Sequence, residues 1–334
     1  MGVYASSLSY GPPVLRDASV DASLVTELRQ AIEDQRSLIG IVPGEGNVNG
    51  VWVYGGNTYA FRNKSGGASA GMYQSTSTGW SEVDLGQALN FDGTTDAGEP
   101  TPGDTGTPTT IVGGSSGAQG DLAGISYNGL WETGASGIMI LTNITGTFTD
   151  NENLNMPLLA YNSGSIEMSV GDTITGASSG KTAVVTSVVI STGTIAAGDA
   201  AGYISVKNNS GTWTASEAIN INGVDHATVN GSSQPSNVTV AKANGAVYAQ
   251  TLQPGGKYEF VNYNFRGEST GQTMYGASTV DNGFSWDGTT FIKYDTGMDV
   301  DTPEHVIAHN KHLFLSYTNG SIQHSSIGAP NKWS

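Results

Sequence analysis

The chain contains no cysteine among its 334 residues. Disulfide frameworks, thiolate metal sites and cysteine nucleophiles are thereby excluded, while the redox compartment stays open. Positive charge is scarce as well. Thirteen Lys and Arg face 29 Asp and Glu, giving a formal net charge of −16. Gripping a nucleic-acid backbone takes clustered basic side chains, so no specific DNA or RNA binding is expected. An acidic surface is compatible with DNA passing close by without sticking. No apolar run is long enough to cross a bilayer as a helix, so no membrane span is expected. The N-terminus lacks the basic and apolar regions of a secretory signal.

Glycine and aromatic residues are abundant: 47 Gly, 14 Tyr, 8 Phe and 6 Trp. Glycine turns between short β-prone runs give an all-β expectation. A repeat organises the middle of the chain. Residues 111–154 carry Gly113-Gly114-Ser115-Ser116-Gly117, then Asn143-Ile144-Thr145-Gly146-Thr147-Phe148-Thr149 and Glu152-Asn153-Leu154. Residues 174–219 answer with Gly176-Ala177-Ser178-Ser179-Gly180, Asn208-Asn209-Ser210-Gly211-Thr212-Trp213-Thr214 and Glu217-Ala218-Ile219. The offset is 65 from Ala135/Ala200 to Leu154/Ile219 and 63 at the Gly-Ser-Ser-Gly element, so one short insertion separates them.

Outside the repeat, residues 1–19 read as an extended arm around Gly11-Pro12-Pro13. Residues 20–39 read as an amphipathic helix, with Val20, Leu24, Leu28 and Ile32 at helical spacing and Asp21 or Ser23 as candidate caps. Such a helix must pack on its own β domain or on a neighbouring subunit. Val51-Trp52-Val53-Tyr54, the Gly55-Gly56-Asn57 turn and Thr58-Tyr59-Ala60-Phe61-Arg62 predict a hairpin. Two further strands around Met72-Tyr73 and Trp80 complete one propeller-type blade. Similar sequence resumes at Tyr248, Tyr258, Phe284 and Leu313. The expected fold is a β-propeller-like domain with an inserted tandem β module and one short N-terminal helix. Its segments are an arm and helix (1–47), a blade (48–86), the inserted repeat (87–235) and further blades (236–334). The final strands either close on the N-terminal segment or belong to a longer polypeptide.

No residue cluster predicts catalysis, and no enzyme activity or cofactor is expected. Gly113 to Gly117 lacks the lysine of a phosphate-binding loop and recurs in the second copy as a turn. No Gly-x-Ser-x-Gly elbow joins a strand to a helix. Paired carboxylates for glycoside cleavage are set by space and not by spacing, so sequence leaves them open. His305, His309 and His312 would align on a helix, but their neighbours favour a strand, with His305 and His309 on one face and His312 on the other. Asp295, Asp299 and Asp301 lie in a glycine-containing loop. They are candidate Ca²⁺ ligands, although the twelve-residue loop and its terminal Glu are missing. Phe148 and Trp213, with Glu152 and Glu217, hold equivalent repeat positions. Each ring is expected to plug its own module; the sharper alternative makes these four residues a binding face for a saccharide or partner.

Val48-Asn-Gly-Val-Trp-Val-Tyr-Gly-Gly-Asn-Thr-Tyr-Ala-Phe-Arg-Asn, Tyr258-Glu-Phe-Val-Asn-Tyr-Asn-Phe, Met274-Tyr-Gly-Ala, the run from Asp301 to Ser316, and Ser326-Ile-Gly-Ala-Pro-Asn-Lys-Trp resemble tail-associated virion proteins of tailed bacteriophages. The Gly-Thr-Phe/Trp-Thr-x-x-Glu repeat is similar to modules of phage structural proteins. The resemblance spans most of 38–334 and extends in architecture to the propeller-built tail nozzle proteins of short-tailed phages. It implies a structural component of the tail (nozzle, hub or tail-tip), located in the virion. The implied form is a homo-oligomeric ring, a hexamer among the candidates, contacting other tail and head-tail connector proteins while DNA passes through. The alternative is a tail module binding a host-surface receptor or glycan.

Overall fold

The computed structural model describes residues 18–38, 40–96, 98–103, 108–232, 234–267 and 271–333. Strands make up 52% of it and helix 7%, which bears out the all-β expectation. Apart from Ala18 and Ser19, the arm expected over 1–19 lies outside the described residues. The expected helix is α1 (Ala18–Leu38). Asp21 and Ser23 sit inside it and not at its start, so neither caps it. The Ser23 hydroxyl donates instead to Glu27, one turn on.

The first meander contains β1 (Glu45–Tyr54), β2 (Asn57–Asn63), β3 (Ala70–Ser75) and β4 (Trp80–Glu82), hydrogen-bonded in that order. Tyr54 pairs with Asn57 across a two-residue loop. Gly55 and Gly56 both have positive φ, 56° and 81°, the backbone that matches the twist of the flanking strands.

Two closed antiparallel barrels follow. The first uses β5 (Gln87–Asp92), β6 (Thr110–Gly113), β7 (Gln119–Asn128), β8 (Ser136–Thr145) and the first half of β9 (Asn153–Gly164). The second uses the latter half of β9 with β10 (Thr173–Gly176), β11 (Thr182–Thr192), β12 (Ala200–Lys207), β13 (Ala218–Ile221) and β14 (Val224–Val229). The chain then returns to the first barrel as β15 (Ser236–Ala243). Pairing runs β5-β8-β7-β6-β9-β15 and back to β5 in the first. In the second it runs β9-β12-β11-β10-β13-β14 and back to β9. Closure leaves neither barrel an open edge.

The copies are therefore nested and not merely consecutive. The second barrel is inserted between the fifth and sixth strands of the first, with β9 serving both. Equivalent bonds mark the two closing strands: Ala243 N–H donates to the Glu152 carbonyl as Val229 N–H does to that of Glu217. The two cores are separate, one around Leu89, Phe91, Met139, Phe148 and Val240, the other around Tyr161, Ile174, Ile204, Trp213 and Val229. The segment boundary read at 235 thus falls within the first barrel, whose last strand lies beyond it.

After β16 (Tyr248–Ala249), which pairs with β5, two more meanders follow. The second has β17 (Tyr258–Tyr263), β18 (Thr273–Ser278), β19 (Asp281–Trp286) and β20 (Phe291–Lys293). The third has β21 (His305–His309), β22 (His312–Ser316), β23 (Ile322–Ser326) and β24 (Ala329–Trp333). First and second meanders pack through stacked rings, Phe61 on Tyr258 at 4.4 Å and Trp52 on Phe260 at 5.7 Å. Second and third meanders share a core with the outer side of the first barrel, where Ile140, Ile292, Tyr294, Leu313, Leu315 and Trp333 meet. Among the described residues, β24 pairs in parallel with β7. The meanders are not evenly arranged as a ring.

Candidate functional site

The four repeat residues singled out by sequence assemble into two copies of one clamp. In the first, Glu152 Oε1 accepts from Thr149 N–H at 2.7 Å and from the Ser116 hydroxyl at 2.9 Å. Its Oε2 accepts from Ser115 N–H, the Ser115 hydroxyl and Ser116 N–H at 3.1, 3.0 and 2.9 Å. In the second, Glu217 takes Thr214 N–H at 2.6 Å, Ser178 N–H at 2.9 Å, Ser179 N–H at 2.7 Å and the Ser179 hydroxyl at 2.8 Å. The two carboxylates are buried, Glu152 5% and Glu217 3% exposed, and the donors of each serine turn satisfy them there. Burial by itself pushes the Glu152 carboxyl up, but the bonds from Thr149, Ser116 and Ser115 outweigh it and hold it down at about 2. Glu217 is lowered by the same balance.

Glycine is required where the clamp closes. A Cβ on Gly113 would stand 2.7 Å from Glu152 Oε1, and one on Gly176 would stand 2.6 Å from Glu217 Oε1. The rings complete the unit from inside: Phe148 is 1% exposed and Trp213 2%. Phe148, Glu152, Trp213 and Glu217 therefore do not form a presented binding face. Each carboxylate is used up by its own turn, and each ring by its own barrel core.

The histidines occupy a different arrangement from the one read in the sequence. His309 pairs directly with His312 across the β21–β22 hairpin, whose two loop residues Asn310 and Lys311 both have positive φ. Directly paired residues share a sheet face, so His312 lies on the same face as His305 and His309. A two-residue turn inside what looked like one strand reverses the parity. His305 bonds Glu259 at 2.7 Å and His312 bonds the Ser325 carbonyl at 2.6 Å. Asp301 accepts from Thr296 N–H, the Thr296 hydroxyl and the Tyr317 hydroxyl, each at 2.8 Å. Asp295 accepts from Gly297 N–H at 3.0 Å, and Asp299 is exposed. Among the described residues, no three His, Asp or Glu side chains stand close enough together to hold a metal ion.

Sequence reading missed a cleft of about 640 Å³ where the second meander, β24 and the 99–102 segment of the first barrel meet. Arg266, Gln272, Thr273, Thr101 and Asn331 are among its lining residues. On its wall, Lys332 pairs with Glu99, which also accepts from the Tyr127 hydroxyl at 3.0 Å. Burial, and then the nearby Glu99 charge, push the Tyr127 phenol up to about 12 despite Lys332. For Lys332, burial lowers the ammonium but Glu99 more than reverses it, leaving it above its ordinary range. Asp287, the other carboxylate lining the cleft, accepts from Thr289 and Thr290 in its own turn. The cleft joins residues far apart in the chain, Glu99 and Lys332 above all, and carries no local motif.

No protein-family model matches the sequence, and neither a curated protein nor a solved structure matches it.

Proposed function

We propose that the chain is a structural component of a bacteriophage tail, a nozzle, hub or tail-tip protein that works through ring assembly and contact with neighbouring virion proteins. The observation that carries this is the apolar surface left uncovered at both ends of the chain. Leu24 and Leu28 on α1 are 55% and 53% exposed, and Ile307 and Ile322 on the third meander 61% and 66%. Clustered exposed apolar residues mark protein contact surfaces. The three meanders and the outer side of the first barrel act in this proposal as blades of an irregular propeller-like body, with the second barrel projecting from it. The net charge of −16 suits a wall past which DNA slides. Sedimentation of the purified chain tests the proposal: a ring-forming protein runs at a multiple of the single-chain mass, and a strict monomer at every concentration would sink it.

A second reading, a host-surface receptor or glycan-binding tail module, is favoured by the cleft beside Glu99 and Lys332. Saturable binding of host-surface oligosaccharide, lost on Arg266→Ala and Gln272→Ala, would move the assignment there.

A further inference from the structure

Four of the five histidines in the chain lie on one face of the third meander. Direct pairing joins His309 to His312, Ile307 to Phe314 and then His324, and His305 to Ser316 and then Ile322. The opposite face, with Leu313 and Leu315, is buried against the second meander and the first barrel. The histidine face is open: His305, Ile307, His309, Ile322 and His324 are all exposed. It is an apolar strip bordered by imidazoles, of which His305 is paired with Glu259 and His312 and His324 with the Ser325 carbonyl.

At the other end of the chain, α1 shows a complementary surface. Leu24, Val25, Leu28 and Ile32 form one exposed stripe. At 100° per residue, Glu27 and Asp34 fall along one border of that stripe and Arg29 along the other. The dimensions agree. Eight residues of helix separate Leu24 from Ile32 by about 12 Å. Two strand spacings and one two-residue step separate Ile307 from Ile322, also by about 12 Å.

We infer that α1 of one copy of this chain docks across the histidine face of the third meander of the next copy. Leu24, Leu28 and Ile32 lie on Ile307, Phe314 and Ile322, and the acidic border of Glu27 and Asp34 lies along the imidazoles, accepting the ring N–H of His309. The contact is heterologous, joining two different surfaces, and repeated contacts of that kind build a ring when the rotation closes. This rests on the assembly function proposed above and specifies which two surfaces form its joint.

Because the native chain has no cysteine, single introduced thiols report the contact cleanly. Leu28→Cys and Ile307→Cys chains are mixed and oxidised beside each single variant alone, together with a pair carrying Leu28→Cys and Val53→Cys. The expected result is a disulfide-linked dimer strongest in the Leu28→Cys and Ile307→Cys mixture, and a ladder of higher species from a double variant that carries Leu28→Cys and Ile307→Cys in one chain. In parallel, Ile307→Asp is expected to cut the associated fraction of the otherwise native chain at least tenfold while leaving its circular dichroism unchanged. Several outcomes would overturn the joint. Leu28→Cys linking mainly to itself means helix pairs with helix. Linking mainly to Val53→Cys places it on the first meander, and a double variant that closes only within one chain means α1 covers its own third meander. An Ile307→Asp chain that associates as fully as the native one would leave assembly standing and remove this joint. A native chain that never associates removes the assembly proposal itself.

Discussion

At the scale of single residues, the repeated glutamate sets tight demands on its surroundings. Glu152 gathers five donors from two serines and a threonine. Glu152→Gln keeps the shape but loses the charge and turns one acceptor into a donor. It is expected to lower stability by about 2 kcal/mol near neutral pH, measured from urea unfolding. The carboxyl sits at about 2 in the folded chain against 4.5 as its ordinary value. Its contribution is therefore complete above 4.5 and disappears as pH falls through about 2. The gap between native and Glu152→Gln chains should shrink over that window; a gap of constant size down to pH 2 would show the clamp does not titrate this way. Gly113→Ala and Gly176→Ala push a Cβ into the same carboxylates, and each is expected to cost roughly 1–3 kcal/mol. The pairing of Phe148 with Trp213 and of Glu152 with Glu217 was legible from spacing. That the glutamate closes on the Gly-Ser-Ser-Gly turn was not, because about forty residues of strand separate them and only barrel closure brings them together.

At the scale of elements, nesting changes which pieces can be removed. Ser236 pairs directly with Leu158, so excising 159–235 and joining the ends by Asn-Gly leaves a plain β9–β15 hairpin and an intact first barrel. That shortened chain should fold and unfold cooperatively, as judged by circular dichroism and resistance to proteolysis. Excising 87–235 should fail. It removes five strands of the first barrel, strands β15 without partners and uncovers Ile292 and Trp333. If both excisions fold equally well, the barrels are not nested as described. The sequence showed the 63 and 65 offsets but not the shared role of β9, for a physical reason. Leu89-Asn90-Phe91 and Leu159-Ala160-Tyr161 hold equivalent places opposite Gly137 and Gly202, yet only their inward side chains are constrained, so no motif survives. The misplaced His312 has a similar origin. One unmarked two-residue turn shifts every later side chain to the other face.

At the scale of the whole molecule, Trp333 joins parts that the chain order keeps far apart. It is 1% exposed, its ring lies tilted against Tyr294 at 5.4 Å, it pairs with Asn128 of β7, and its carbonyl accepts from Gly129 N–H. Trp333→Ala is expected to cost about 3–5 kcal/mol and to lower the thermal midpoint of the first barrel together with that of the meanders. Loss confined to the third meander, with the barrel transition unmoved, would mean that the shared core does not couple them.

Sequence by itself determined the elements. Apolar alternation, glycine punctuation and a repeated paragraph were enough for an all-β chain with one amphipathic helix, because these patterns act over a few neighbouring residues. Composition alone set the acidic balance and ruled out thiol chemistry. The tertiary structure decided what those elements enclose: two barrels nested through one strand, a glutamate clamp in each, a cleft walled by the Glu99–Lys332 pair, and four histidines on one open face. Each of these depends on which strands pair, and pairing is fixed by burial summed over the whole core, which no local window of sequence contains.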